Sequence, residues 1–323
     1  MAAPTTSPVG INTMVKEVIL PYMVDQFTQT NTFMNLLFKN HDMIRGGNYL
    51  NQPIMTGLPT QYVTRYTGAQ TIPPNFQVNE RGAVLNMKFY AIDVSISGTD
   101  DARDDGPEAV FDMAATRMAE AELALRDSVG ADIQGDGTLY GGLGITGMDA
   151  AIDAGTVAPT YCAIPRALLP IWSGYVNSNS GASRALTVPL LDTLWQNTAW
   201  DSDSIDLLLT DRGMATRINQ LAHSMQRTTN AESASIGFKH IFYRGIPIVA
   251  DDHVVVSPRQ RIWGLNMKYH QVYTKLGRFF KWRPFQTVND QDTISGKILL
   301  AMIYVVSRPR SNGKILDLDS SLT

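Results

Sequence analysis

Asp251-Asp252-His253 is the densest ionisable cluster in the sequence, and two carboxylates beside an imidazole are the residue types of acid–base or metal chemistry. The cluster follows Arg244-Gly-Ile-Pro-Ile-Val-Ala250, which reads as a turn entering a short strand. Side chains of neighbouring residues diverge at a strand end, so the three would not converge on one atom. His41, His223, His240 and His270 show no metal-ligand spacing to one another or to His253. Cys162 is the single cysteine, which excludes an intramolecular disulfide and every multi-cysteine zinc motif. Arg166 is its only nearby cation, so Cys162 reads as structural rather than nucleophilic. Lys88, Lys275 and Lys281 could each react, and nothing around them selects one. Gly142, Gly144 and Gly147 satisfy the G-x-G-x-x-G spacing of a dinucleotide loop. That loop works by following a strand and opening a helix onto phosphates, whereas these glycines follow a long helical pattern. They read instead as a chain reversal with several positive-φ positions. No G-x-S-x-G, H-E-x-x-H, P-loop or EF-hand pattern is present, so no catalytic, cofactor or metal residue is expected and the chain is not read as an enzyme.

The elements that carry these residues centre on one stretch, Asp104 to Ile133. Asp104 and Asp105 supply cap carboxylates, Pro107 suits a first helical turn, and Gly130 and Gly135 mark the end. Val110, Ala114, Met118, Ala121, Leu125 and Val129 recur at steps of three and four, which is one apolar stripe. Glu120, Glu122 and Arg126 lie on other faces, the last two as an i,i+4 pair. Before this helix, Ile11 to Asn40 is apolar but broken by Pro21, an arm whose side chains need a surface to cover or a helix pair in a core. Asn48 to Met55 and the alternating run Tyr90, Ile92, Val94 and Ile96 flank a turn-rich middle containing Gly57, Pro59, Gly68, Pro73, Pro74 and Gly82. The middle is too long for an ordinary hairpin loop and too apolar for a linker, with Leu58, Tyr62, Tyr66, Ile72 and Phe76 in it. A hairpin that lays its tip on a neighbouring subunit satisfies both facts, and a substrate lid is the other reading.

After the glycine-dense bend the pattern becomes mixed. Thr187 can cap a helix holding Leu190, Leu191 and Leu194, Ile205 to Leu209 reads as a buried strand, and Met214, Ile218, Leu221 and Met225 predict a second helix before a polar loop from Arg227 to Ser235. Arg261 to Leu265, Gln271 to Tyr273 and the continuous run Ile298 to Val306 predict strands, the last covered on both faces and closing the core as the final strand. The 323 residues are 44% hydrophobic with a formal charge of -3, which suits one large or two modest domains and offers no bulk attraction to nucleic acid. Ile298 to Val306 is far too short to span a bilayer, and Met1 to Gly10 carries no Lys or Arg before its first apolar run, so no membrane or secretion segment is expected.

Several strings in this order resemble one family. Gln134-Gly-Asp-Gly-Thr138 with Gly142-Leu-Gly-Ile-Thr-Gly-Met148 follows the long helix, and Tyr161-x-x-Ile-x-Arg166 with Trp172 comes next. Arg244-Gly-Ile-Pro-Ile248 with Asp251-Asp252, Lys281-Trp-Arg-Pro-Phe285 and Arg308-Pro-Arg310 complete the set. The chain thereby resembles, over nearly its whole length, the major capsid proteins of tailed bacteriophages, the fold named after phage Hong Kong 97. The resemblance implies an α+β fold with an N-terminal arm at 1–44 and an extended two-stranded loop at 45–99. It implies a peripheral domain with a spine helix at 100–155 and 250–323, and an axial domain at 156–249. It further implies self-assembly into hexamers and pentamers of an icosahedral procapsid that expands around double-stranded DNA, with Leu58, Tyr62, Tyr66, Ile72, Phe76, Glu120, Glu122, Arg126 and Arg227 at subunit contacts.

Expected partners are a separate scaffolding protein, a portal, a decoration protein and weak, non-specific contact with packaged DNA; the chain would be made in the host bacterial cytoplasm and reside in the virion. The Lys-to-Asn weld of some members is not carried over, since no matching catalytic motif is visible. An encapsulin-type cargo shell and a soluble enzyme with a lid over Asp251 to His253 are the alternatives.

Overall fold

The computed structural model describes residues 32–39, 41–47, 49–57, 63, 65–69, 80–98, 107–201, 203–225, 242–256, 258–287 and 292–322, with backbone alone at 32, 35, 39, 107–116 and 222–225. The expected cap residues Asp104 and Asp105, the arm before Thr32 and the polar loop from Arg227 lie outside these residues.

In chain order, α1 is Thr32–Lys39, β1 His41–Ile44, β2 Tyr49–Met55, β3 Glu80–Asn86, β4 Lys88–Ser97 and α2 Pro107–Gln134. There follow β5 Thr160–Tyr161, β6 Ile164–Pro165, β7 Tyr175–Asn177, α3 Val188–Thr198, β8 Leu207–Thr210 and α4 Arg212–Met225. The chain finishes with β9 Phe242–Tyr243, β10 Ile246–Ala250, β11 Gln260–Leu265, β12 His270–Lys275, β13 Lys281–Thr287, β14 Thr293–Val306 and β15 Gly313–Leu318.

β14 organises the larger core. Antiparallel β4 runs along one edge of it from Thr293 to Met302, and β13 then β12 occupy the other, with β1 added parallel to β12. Every residue from Leu300 to Val306 is buried, as a continuous apolar run of this kind requires. Ile298, Leu300, Met302 and Tyr304 meet Val94 and Ile96 of β4 and the stripe of α2. Within that stripe Met118, Ala121, Leu125 and Val129 are buried, and Ile133 extends it. Each large side chain so buried contributes about 1.5–3 kcal/mol. The arm's helix α1 covers the same core with Phe33, Met34, Leu37 and Phe38. On the opposite face of β14, Ala301 and Ile303 meet Met87, with Leu50 and Leu85 at the root of the β2–β3 ribbon.

The second sheet has the order β7-β15-β11-β8-β10-β9. Side chains alternate across it with period two. Leu208, Ile248, Ile262 and Ile315 pack on Leu191 and Leu194 of α3 and on Met214 and Ile218 of α4. Leu207, Leu209, Trp263 and Leu265 join the larger core instead.

The structure departs from the sequence reading in three places. The partner of β2 is β3, a stretch read as part of the turn-rich middle because of Gly82. Gly82 lies opposite Pro53 inside the ribbon, where a Cβ would come 2.4 Å from the Asn51 side chain. The alternating run from Tyr90 therefore belongs to the main sheet. Thr187 stands at the N-cap of α3 with extended backbone but makes no side-chain capping bond, and Pro189 occupies the first turn. Finally, Ile298 to Val306 is central but not final. β15 follows it and inserts between β7 and β11. Ending the chain before Lys297 removes most of β14 and all of β15, and ending it before Gly313 removes β15 alone. Either truncation is expected to abolish cooperative unfolding by calorimetry, since the first takes an inner strand from both sheets and the second takes one from the six-stranded sheet together with Ile315 and Leu318 of its core; a sharp melt from either would refute this.

Candidate assembly surface and buried charge centre

The strings between Gln134 and Trp172 lie together in space. Positive φ at Gly137, Tyr140, Gly141 and Gly142 turns the chain back after α2. A Cβ at Gly147 would lie 2.4–2.5 Å from the carbonyl oxygens of Ile133, Asp132 and Gly135, so only glycine closes this bend. The Tyr90 hydroxyl fixes it to β4 by donating to Asp132 Oδ2 at 2.6 Å and accepting the Ile145 N–H at 2.9 Å.

Past the bend, Arg166 is 3% exposed and donates to the carbonyls of Ala150, Ala151 and Ala158, each at 2.7 Å, and of Trp172 at 3.2 Å. Its guanidinium also lies 3.5 Å from Asp153 Oδ2. The indole N–H of Trp172 donates to the Tyr161 carbonyl, and the Tyr161 hydroxyl accepts the N–H of Val306. From the last strand, fully buried Lys314 brings its ammonium 2.7 Å from Asp149 Oδ1 and 3.5 Å from Asp153 Oδ1. Arg261 completes the group at 3.3 Å from Asp149. Burial pushes the Asp153 carboxyl up, but the Ala158 N–H, the Lys314 charge, the Thr156 hydroxyl and the Gly155 N–H outweigh it and hold it down to about 2. Asp149 and Asp153 thus pair with three cations, Arg166, Arg261 of β11 and Lys314 of β15, with Asp153, Arg166 and Lys314 buried and one positive charge left in excess. With its carbonyl bonds filled, this centre ties segments together and offers no free acid or base.

A second buried polar group sits where β12 meets β14. His270 Nδ1 accepts the Tyr304 hydroxyl at 2.6 Å, and Nε2 donates to Asn312 Oδ1 at 2.9 Å. The Asn312 orientation is fixed because Oδ1 also accepts the Asn266 N–H and Nδ2 donates to the Arg308 carbonyl. Burial lowers the His270 imidazolium to about 4, against the raising effect of Asn312. The unfolded state binds this proton from about pH 6.5 downward, the folded state only near 4. The contribution is therefore complete above about pH 6.5 and lost as pH falls towards 4, amounting to about 3 kcal/mol. Urea midpoints measured across that window should fall for the native chain and less so for His270→Gln; parallel curves would refute the assignment.

The residues singled out for chemistry do not assemble. Asp251 accepts the backbone N–H of His253, Asp252 pairs with exposed Arg212 at 2.7 Å, and His253 lies 3.7 Å from Asp127 of α2. Among the described residues no group of three or more His, Cys, Asp or Glu could hold a metal ion. An open groove of about 430 Å³ runs between β2 and residues 307–310, with Met55, Ile171 and Arg310 on its walls, and Asp251 to His253 do not line it. Cys162 is buried at the positive-φ turn between β5 and β6, and burial pushes its thiol up to about 12 despite the Tyr161 bond and the Arg166 charge. Lys88 donates to the Gly142 carbonyl. No described helix is long and apolar enough to cross a membrane.

Of the residues expected at subunit contacts, Leu58, Tyr62, Ile72, Phe76 and Arg227 lie outside the described residues. Tyr66 is 58% exposed, and Tyr49, Met55 and Val63 on the same ribbon and loop are exposed too. On α2 Glu120 is exposed, whereas Glu122 and Arg126 are half-buried. Burial raises the Glu122 carboxyl and the Arg126 charge pulls it back, as their i,i+4 spacing predicts. Sequence reasoning missed Leu123, exposed between these acids, and the bend residues Leu139, Tyr140 and Leu143, each more than half exposed. Their signal was present as apolar residues off the stripe and inside a glycine-rich turn.

This architecture is the α+β capsid fold of the Hong Kong 97 type. The cyanophage A-1(L) capsid asymmetric unit has it at a TM-score of 0.64 with 17% identity, covering 88% of this chain and 92% of that one. The capsid of a native GTA particle matches at 0.54 with 11% identity, over 88% and 90% of the two chains. The holo-SrpI encapsulin complex from Synechococcus elongatus PCC 7942 matches at 0.57 with 12% identity, over 91% and 90%. No protein-family model and no curated protein matches the sequence.

Proposed function

We propose that this chain is the major capsid protein of a tailed bacteriophage, which associates through hexamers and pentamers into an icosahedral shell around double-stranded DNA. The observation that carries the reading is the likeness to a phage capsid subunit over about nine-tenths of both chains. Residues 1–44 serve as the arm, 45–99 as the extended loop, 100–155 and 250–323 as the peripheral domain and 156–249 as the axial domain, with β11 and β15 threading back into the axial sheet. The exposed large apolar side chains Tyr49, Met55, Val63 and Tyr66 of the ribbon and loop support the loop's role, since a neighbour would take them out of water. Leu58, Tyr62, Tyr66, Ile72 and Phe76 supply the loop's share of the subunit contact, and Glu120, Glu122, Arg126 and Arg227 the polar share. The mechanism is mechanical: each heterologous contact repeats around a ring and closes it. A separate scaffolding protein, a portal and a decoration protein complete the particle, and a chain of charge -3 touches DNA only weakly.

An encapsulin-type cargo shell is the second reading, favoured by the match to the holo-SrpI encapsulin complex. The length of the segment between Met55 and Glu80 argues for the virion. Sedimentation of the chain expressed alone, with negative-stain imaging of the fast fraction, tests both. Closed shells or hexamer and pentamer rings are expected, and a single small oligomer unchanged by a candidate scaffold would overturn the shell class. Purification from phage particles rather than cargo-loaded cytoplasmic shells separates virion from encapsulin.

A further inference from the structure

The face of the main sheet turned away from α2 is basic. Cross-strand partners share a face, so the register places Phe89, Ala91, Asp93 and Ser95 of β4, Ser295, Lys297 and Leu299 of β14, and Lys281 and Arg283 of β13 together. Lys297 stands between Asp93 and Arg283, and Leu299 between Ala91 and Lys281. The alternate residues Ile92, Val94, Ile298, Leu300 and Trp282 belong to the core. Lys281, Arg283 and Lys297 are exposed, Phe89 is 51% exposed and Leu299 is half-buried. Arg278 adds a fourth cation, its guanidinium 5.7 Å from the centre of the Phe89 ring. Asp93 is the one acid the register sets among them, and its carboxylate takes the Ser295 hydroxyl. Among the described residues Lys281, Arg283 and Lys297 form no ion pair. A chain with a formal charge of -3 has gathered four cations around an apolar strip.

The geometry points to this face as the docking surface for an acidic segment of a partner polypeptide that also brings aliphatic side chains. Duplex DNA would neutralise the cations but leave Phe89 and Leu299 without apolar partners. An amphipathic helix laid on the sheet covers both and matches the charge, in the ordinary layering of helix on sheet. The chain's own loop does not fit, because residues 56–79 contain no Asp or Glu and include Arg65. Addition of a strand at the β13 edge is disfavoured by Pro284 and by the irregularity between Arg283 and Gln286, so the partner lies on the face rather than along the edge.

Fluorescence anisotropy with the full chain near physiological salt tests this with three labelled probes. They are a peptide of about 15 residues, or four helical turns, with Glu and Leu on one helical face, polyglutamate of equal length, and a short DNA duplex. The Glu/Leu peptide is expected to bind tightest. Combined Lys281→Glu, Arg283→Glu and Lys297→Glu should weaken it about tenfold or more, since like charges then face each other. Phe89→Ala should weaken the Glu/Leu peptide and leave polyglutamate unchanged. Tighter binding of the duplex, no binding of the peptide, or equal affinity after charge reversal would overturn the proposal. If the triple variant fails to fold, the Phe89→Ala comparison decides alone, and an equal effect on both peptides counts against it.

Discussion

Replacing Arg166 with alanine is expected to lower the unfolding free energy by about 3–5 kcal/mol, the cost of removing one partner from a buried charge group. Four carbonyls, those of Ala150, Ala151, Ala158 and Trp172, lose their donor at once around a side chain that is 3% exposed. Asp153 would keep its N–H partners and Lys314 at 3.5 Å, but the charge balance of the centre shifts by one. Arg166→Lys should fall between the two, because a lysine keeps the charge without the planar fork that reaches several carbonyls. Arg212→Ala provides the contrast. Its pair with Asp252 has the same 2.7 Å separation as Lys314 with Asp149, yet both side chains are more than half exposed, so a change under about 1 kcal/mol is expected. Urea unfolding of the three variants measures this, and an Arg166→Ala midpoint equal to that of Arg212→Ala would refute a structural role for the centre.

Deleting Leu58 to Pro74 is expected to leave a folded subunit that no longer builds shells. The root of the ribbon stays attached through Leu50, Leu85 and Met87 against Ala301 and Ile303, and neither core uses the deleted stretch among its described residues. The melting temperature should therefore hardly change. Assembly loses Val63 and Tyr66, both exposed in the single chain, together with the apolar residues around them. The fast-sedimenting fraction should fall to background while the slow fraction keeps its native melt. Normal shells from the deletion would remove the loop from the assembly mechanism, and loss of folding would show that the loop serves its own subunit.

Periodicity carried most of the fold. The steps of three and four from Met118 to Val129 placed α2, the alternation from Tyr90 placed β4, and the unbroken run to Val306 placed the central strand, because each pattern records which side chains must leave water. β3 and β15 were hidden for a common reason. Glu80 to Asn86 and Gly313 to Leu318 hold glycines and charges that ordinarily stop strands, and only their neighbours make those residues acceptable: Gly82 yields room to Asn51, and Lys314 finds Asp149 and Asp153. The sequence by itself determined the long helix, the alternating strand β4, the buried run of β14 and the strings from Gln134 to Trp172, since these depend on local spacing. Tertiary structure decided why those strings exist. Residues as far apart as Asp153, Arg166 and Lys314 must close on one another to pair their charges in a medium that solvates them poorly, and no local pattern encodes that meeting.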